Sequence, residues 1–385
     1  MTELVNKSPS LAKAAQDAGT SGEQLLSSRH GEETAIGIIA DIQYVDDEDA
    51  SQWGDPTRKR RYRSSLKIFK EAIKELSFKT TTNIVLGDIL DGKAKRMNQR
   101  DKSLSHVMDA LSDANALREW SFVVGNHDFF SFSREELYAM DVFMPRSVAK
   151  ECSPAKMYYA REISSGLVLV TLDCYEISID GALSQSYKTE AENIIKRNNP
   201  NVASGKNWLE GLDEDKKRYV PYNGGVTDDQ KLWLKAVLSD AKGKGQQVVV
   251  FSHTPLSSYC CRPSAVCWDA DELSSILRDS GNVLAVFSGH DHDGGYHHEG
   301  TERGGGNAVG GLRHVIPPAP LEAPEGSSCW GVLHVSTDSA TGKISSVRYA
   351  WRGEYPRELR LAIESGGELS PALVKEKEFW DGECW

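Results

Sequence analysis

The stretch "GIIADIQYVDDE", Gly37–Glu48, decides how the rest of the chain is read. An apolar run from Ile36 to Ala40 stops at Asp41, and Gln43 follows before a cluster of further acids. A continuous apolar run of this kind is expected of a strand covered on both faces. The strand ends by presenting a carboxylate and, two residues on, a primary amide. Its meaning depends on what the other strands present at their ends.

The remaining segments alternate between strand and helix. "RRYRSSLKIFKEAIKEL" places Leu66, Phe69, Ile73 and Leu76 on one helical face. "NIVLGD" reads as a strand, "LSHVMDALSDANALREW" as a helix and "SFVVGNHD" as a third strand. "GLVLVTLD", "QQVVVFSH" and "NVLAVFSGH" are later strands, and "VTDDQKLWLKAVLSDA" opens with a capping box formed by Thr227 and Gln230. "CWGVLHVSTDSATGKISSVRYAWRG" reads as a hairpin turning at Ala340-Thr341-Gly342. About Tyr175 to Gly225 and Gly294 to Gly326 read as long loops, which in a compact α/β core cover a site. The pattern predicts one large domain with flanking segments 1–33 and 354–385.

Composition narrows the class. The 385 residues are 39% hydrophobic with nine tryptophans, enough for a large core. A formal net charge of -11 disfavours a general nucleic-acid binder. No apolar run approaches the ~20 residues of a membrane helix, and Met1 to Glu33 lacks the apolar core of a secretory signal. Seven cysteines, an odd number without a C-x-x-C pair, fit a reducing, cytoplasmic setting.

Five strand ends carry polar residues: Asp41 and Gln43; Asp88 after Gly87; Asn126-His127-Asp128 after Gly125; His253 after Ser252; and His290 and His292 after Gly289. Each has a plainer reading alone. Gly-Asp is a common turn or cap, and a single histidine after a strand is more often structural than a ligand. Together, in order, on the edge where α/β sheets bind ligands, they make an inventory of metal donors.

This series, D-x-Q … G-D … G-N-H-D … S-H … G-H-x-H, resembles the calcineurin-like metallophosphoesterase superfamily. The usual first element there is Asp-x-His, and Gln43 stands in the His place. "GDILDG", "VPYNGGVTDDQKLWL", "GHDHDGGY" and the basic run "TRKRRYRSSL" resemble the manganese-dependent ADP-ribose/CDP-alcohol diphosphatases. The resemblance covers roughly residues 34–353 and implies a four-layer α/β/β/α sandwich. It also implies two divalent metals, Mn2+ foremost, with Mg2+, Fe2+ or Zn2+ as alternatives. Asp41, Gln43 and His292 would hold one metal, Asn126, His253 and His290 the other, and Asp88 would bridge them.

A di-metal site acidifies a shared water and clamps phosphoryl oxygens for in-line attack. His127 is then the acid or electrostatic catalyst, Asp128 fixes its tautomer, and Asp91 serves as a helix cap or support. For the basic run Arg58 to Arg61 and Arg63, holding a distal phosphate competes with a plain solvated helix face. Tyr44, Trp53 and Tyr296 are candidates to stack on a base, and ordinary packing is the competing reading. Cys267 and Trp268 suit a specificity loop, whereas Cys260-Cys261 lacks the histidine partner of a thiol nucleophile. Tyr44, Arg61, Cys267 and Tyr296 are thus the expected substrate contacts.

The implied activity is hydrolysis of nucleoside diphosphates linked to a sugar or alcohol, by a monomer with neither nucleic-acid nor membrane partner. A cyclic-nucleotide phosphodiesterase or phosphomonoesterase on the same scaffold is the alternative, though its first motif would be Asp-x-His. A binding module that lost its chemistry is a remoter one, because His127 and every ligand position are filled.

Overall fold

The computed structural model describes residues 33–52, 55–113, 119–145, 156–299, 311–338, 341–353, 358–364 and 368–370. The first of its two large sheets runs in the order Glu368–Ser370, Glu358–Glu364, Ile344–Arg352, Trp330–Thr337, Glu33–Ile39, Thr82–Val85, Glu119–Phe122. The second runs Gly295–His298, Arg313–Ile316, Val283–Ser288, Gln247–Ser252, Leu167–Thr171, Tyr159–Ser164. Glu33–Ile39, Thr82–Val85 and Glu119–Phe122 are mutually parallel. So are Leu167–Thr171, Gln247–Ser252, Val283–Ser288 and Arg313–Ile316.

The two-residue period of a strand sorts apolar side chains between two cores. In Gln247–Ser252, Val249 and Phe251 point into the core between the sheets, and Val248 and Val250 point to the outer one. Leu167 and Leu169 against Val168 and Val170 repeat the division. Phe287 of the second sheet meets Tyr349 of the first edge-on, with ring centroids 5.0 Å apart. On the far side of the first sheet lies the helix Tyr62–Lys79, whose Phe69 packs on Trp120. Beyond the second sheet, Asp228–Gly243 and Ala270–Ser280 bury Leu234, Leu238, Leu273 and Leu277. The result is the four-layer α/β/β/α sandwich.

Four sequence expectations change. The stretch 175–225 is not a plain loop: it holds the helices Gln185–Asn198 and Pro200–Ser204, and the short strands Ile177–Ser178 and Gly224–Gly225 pair across its ends. The longer helix buries only Ala191 and Ile195, too narrow a stripe to stand out as periodicity. In the second expected loop, Gly295–His298 and Arg313–Ile316 pair antiparallel, and residues 300–310 lie outside the described set. The helix read through Trp120 is described as Arg100–Asp113, and Glu119–Phe122, where it was expected to continue, is a strand. The basic run is not a helix face: Asp55–Arg60 is a strand paired with Ala50–Gln52, and the helix starts only at Tyr62.

Glu358–Glu364 and Glu368–Ser370 extend the first sheet beyond the boundary expected at residue 353. The segment 1–33 lies outside the described residues except for Glu33, which begins the first strand. No helix among the described residues is long and apolar enough to cross a membrane.

Phe287, 1% exposed, is a keystone between the sheets. Phe287→Ala is expected to lose ~3–5 kcal/mol of stability in urea titrations; a loss below ~1 kcal/mol would mean that the inter-sheet core closes over the cavity.

Candidate metal centre

The carboxyl ends of the parallel strands of both sheets meet at one seam. Asp41, Asp88 and Asn126 follow three strands of the first sheet, and His253, His290 and His292 follow two of the second. The ligand loops interlock through their backbones: Gln43 N donates to Asp88 O at 2.8 Å, and Gly289 N to His253 O at 2.9 Å. Asp41, Gln43, Asp88 and His290 all have left-handed backbones, with φ of 44°, 40°, 56° and 69°. Such conformations cost of order 1–3 kcal/mol each in non-glycine residues and concentrate at functional sites. Two motif glycines are required by close approach. A Cβ on Gly125 would lie 2.1 Å from Asp88 Oδ1, and one on Gly289 2.6 Å from Asp41 Oδ2.

Each histidine of the cluster has its outer nitrogen tied to an acceptor. His253 Nδ1 donates to Leu86 O at 2.7 Å, His290 Nε2 to Asn223 Oδ1 at 2.9 Å, and His292 Nδ1 to Glu322 Oε1 at 2.7 Å. The inner nitrogens turn toward one another and toward the polar groups of the neighbouring loops, that of His292 lying 3.0 Å from the Gln43 amide nitrogen. His253 Nε2 lies 3.1 Å from His290 Nδ1, 3.2 Å from Asn126 Oδ1 and 3.5 Å from Asp88 Oδ2. His292 Nε2 lies 3.7 Å from Asp41 Oδ1. Donor atoms of Asp88, His253 and His290 lie within 4.8 Å of one another. Imidazoles, carboxylates and an amide oxygen converging on one point, each imidazole oriented by an outer partner, are the chemistry of a divalent-cation site.

Gln43 Nε2 lies 3.0 Å from both Asp88 Oδ2 and His292 Nε2, and its Oε1 accepts from Arg60 at 3.4 Å. The amide thus sits in the cluster with its nitrogen inward, and an amide that ligates a cation turns its oxygen inward instead.

Burial pushes the Asp41 carboxyl up to about 6. Burial acts on Asp88 in the same sense, but His253 and His127 outweigh it and hold that carboxyl well below the usual range. Burial lowers both His290 and His127, so the His127 ring is neutral near pH 7. His127 Nδ1 accepts the Gly92 amide at 3.0 Å, which leaves the ring proton on Nε2.

The expected pairing of Asp128 with His127 is corrected. Asp128 is fully buried and accepts from the backbone N–H groups of Asp88, Ile89 and Gly125 at 2.9, 3.0 and 2.8 Å. The carboxylate beside His127 is Asp91, whose Oδ2 lies 3.6 Å from Nδ1 while Oδ1 accepts from Lys93 N.

The expected substrate contacts fare differently. Tyr44 is buried in the core with its hydroxyl 2.7 Å from His106 Nδ1, and Cys267 is fully buried among the outer-core residues. Arg61 turns away to donate to the carbonyl of Glu322, and Tyr296 is half-buried against the core. Trp268 donates its indole N–H to Arg218 O, and Trp53 lies outside the described residues. The residue of the basic run that reaches the ligands is Arg60, bonded to Gln43 and, at 3.2 Å, to Asp91. Asn223 and Glu322, which orient two of the histidines, were missed. Asn223 lies in the quoted "VPYNGGV"; nothing local marks Glu322.

This fold and this convergence of donors define a metallophosphoesterase centre. Residues 34–294 match the calcineurin-like phosphoesterase family, to which the chain belongs. The chain is 30% identical over 312 residues to the manganese-dependent ADP-ribose/CDP-alcohol diphosphatase of Danio rerio, with 79% of this chain and 92% of the relative covered. The enzyme of the same name from Oryza sativa subsp. japonica is 32% identical over 311 residues, covering 79% and 88%. Among solved structures, a dimetal phosphatase from Danio rerio superposes with a TM-score of 0.72 at 25% identity, covering 86% of this chain and 98% of that one.

Removing the outer partner of a ligand histidine should weaken metal binding without removing a ligand. Glu322→Gln is expected to lower Mn2+ affinity ~10–100-fold by calorimetric titration. Unchanged affinity would mean that the His292 ring is held by its packing alone.

Proposed function

We propose that the protein hydrolyses the phosphoanhydride of nucleoside diphosphates linked to a sugar or alcohol. ADP-ribose gives AMP and ribose 5-phosphate, and CDP-choline or CDP-glycerol gives CMP and the phospho-alcohol. The observation that carries this reading is the inward convergence of three oriented histidines on Asp41, Asp88 and Asn126. The names of the aligned relatives support the substrate class and manganese.

Asp41, Gln43 and His292 would hold one cation, Asn126, His253 and His290 a second, and Asp88 both. When bound, the cations neutralise charge on the phosphoryl oxygens and acidify water. The chain itself contributes geometry and one proton donor. His127 presents Nε2–H to the oxygen that leaves. Water adds to phosphorus, the P–O bond of the anhydride breaks, and the electron pair stays on the departing phosphate. That phosphate is stable as an anion, its second pKa lying near ~6, so a neutral imidazole that donates a hydrogen bond suffices. The Gly92 amide, donating to Nδ1, holds the ring so that Nε2 carries the hydrogen.

The enzyme works as a monomer in the cytoplasm, without nucleic-acid or membrane partner. Cys174, Cys260, Cys261, Cys267 and Cys329 are free thiols, which suits a reducing compartment, and the net charge of -11 opposes binding to nucleic acid.

Two experiments test the reading. With Mn2+, ADP-ribose or CDP-choline should be turned over faster than cyclic AMP or p-nitrophenyl phosphate; dominant turnover of either of the latter overturns it. His127→Ala should retain its metal while kcat falls ~10²–10⁴-fold. Unimpaired turnover would remove His127 from the mechanism.

A further inference from the structure

Two primary amides stand in the ligand cluster and face it in opposite senses. Gln43 turns its nitrogen inward, 3.0 Å from Asp88 Oδ2 and His292 Nε2, whereas Asn126 turns its oxygen, 3.2 Å from His253 Nε2. A carboxamide ligates a cation through its oxygen, and a half-turn about its last bond exchanges the two ends. That rotation leaves the main chain of the helix Asn126–Ser131 where it is, so the backbone alone does not decide which end faces inward. A neighbouring side chain has to.

Among the described residues, Asn126 Oδ1 has two polar side-chain neighbours, His253 Nε2 and, at 3.4 Å, the hydroxyl of Tyr175. A histidine nitrogen that ligates a metal carries no hydrogen, so His253 Nε2 has nothing to donate to the amide in the loaded site. The Tyr175 phenol does: it donates its O–H to Oδ1, whose other lone pair is left for the cation. The contact is long for an O–H···O bond, and its worth lies in direction more than in strength.

Tyr175 is held on every side that could let it drift. It is 1% exposed, and its ring lies against those of Phe129 and His253, with centroids 5.6 and 6.1 Å away. Its N–H donates to Asp173 Oδ1 at 3.0 Å, and its carbonyl accepts from Arg134 Nη2 at 3.1 Å and Ser178 Oγ at 2.9 Å. Arg134 Nε donates to Gly181 O at 2.8 Å, and a Cβ on Gly181 would lie 2.4 Å from the Phe129 ring. A phenol anchored in this way aims its hydroxyl at one place.

We infer that Tyr175 is a positioning residue for the cation that Asn126, His253 and His290 would hold, its hydroxyl keeping the Asn126 oxygen turned toward the cluster. The inference rests on the ligand set given above and assigns Tyr175 no contact with substrate. It extends to an amide what the outer partners do for the histidines.

The test is calorimetric titration of the full chain with Mn2+, without substrate. Tyr175→Phe removes one oxygen and keeps the ring. It is expected to weaken one of the two Mn2+ binding events ~10–100-fold and leave the other unchanged. Asn126→Asp offers an oxygen whichever way it turns, so adding Tyr175→Phe to it should cost no further affinity. Asn126→Ala, with no amide to orient, serves the same comparison if the aspartate variant does not fold. The Tm of each metal-free variant reports on the fold.

An equal loss with and without Asn126→Asp would overturn the inference and make Tyr175 a packing partner of His253. Unchanged affinity in Tyr175→Phe, or equal weakening of both binding events, would overturn it too. Unsubstituted protein that binds two Mn2+ but turns over neither CDP-choline nor ADP-ribose would refute the functional reading alone. Binding of fewer than two Mn2+ would refute the ligand set and this inference together.

Discussion

One buried carboxylate organises the site without entering it. Asp128 gathers the N–H groups of Asp88, Ile89 and Gly125, tying the loop after Thr82–Val85 to the loop after Glu119–Phe122. Asp41 makes a similar tie between the sheets, accepting the His290 amide at 3.0 and 3.1 Å through its two oxygens. Charge-assisted bonds to backbone amides are among the stronger hydrogen bonds available. They sustain the left-handed conformations of Asp41, Asp88 and His290, which would otherwise relax. The donors can converge because the loops that carry them cannot retreat.

That convergence has an electrostatic consequence. A folded chain that buries Asp41 and Asp88 side by side with three imidazoles carries a strained electrostatic balance that cations relieve. Burial and Coulomb interaction respond by moving the two carboxyls in opposite directions, Asp41 up and Asp88 down. Binding cations replaces this frustrated set with attractive pairs. It also explains how a chain of net charge -11 can handle anionic substrates: local divalent charge dominates the field at the seam whatever the distant surface carries.

Much of this was legible in the sequence because strand ends are marked by strong local signals. Apolar runs closed by Asp41, Asp88, Asn126, His253 and His290 located the seam, and the two-residue spacing of His290 and His292 placed both on it. The four-layer arrangement followed from the resemblance and matches the alternation of Val248 to Phe251. What stayed hidden depends on contacts remote in sequence. Glu322 reaches His292 across 30 residues, and Asn223 reaches His290 across 67. The role of Asp128 was misread because proximity in sequence to His127 suggested contact. A residue at the third position of a short helix instead turns its carboxylate back to the capping amide, as the Gly125 N–H contact illustrates. Tyr44 and Cys267 stand next to motifs for the same misleading reason, and packing claims both.

Gln43 remains the residue where this chain departs most from the superfamily pattern. An imidazole offers one inward nitrogen whose character is fixed by what the outer nitrogen bonds. A carboxamide offers two ends of opposite character, and either can face inward after a half-turn. Here the nitrogen end satisfies Asp88 and His292 while Arg60 occupies the oxygen. Presenting the oxygen to a cation requires that turn and releases the Arg60 contact, so occupancy at Gln43 and the freedom of the Arg60 guanidinium are physically linked. A neutral oxygen donor is also harder and weaker than imidazole, which favours manganese or magnesium over zinc at that position. An amide at this position thus joins Asp88 and His292 to the Arg60 guanidinium through one side chain.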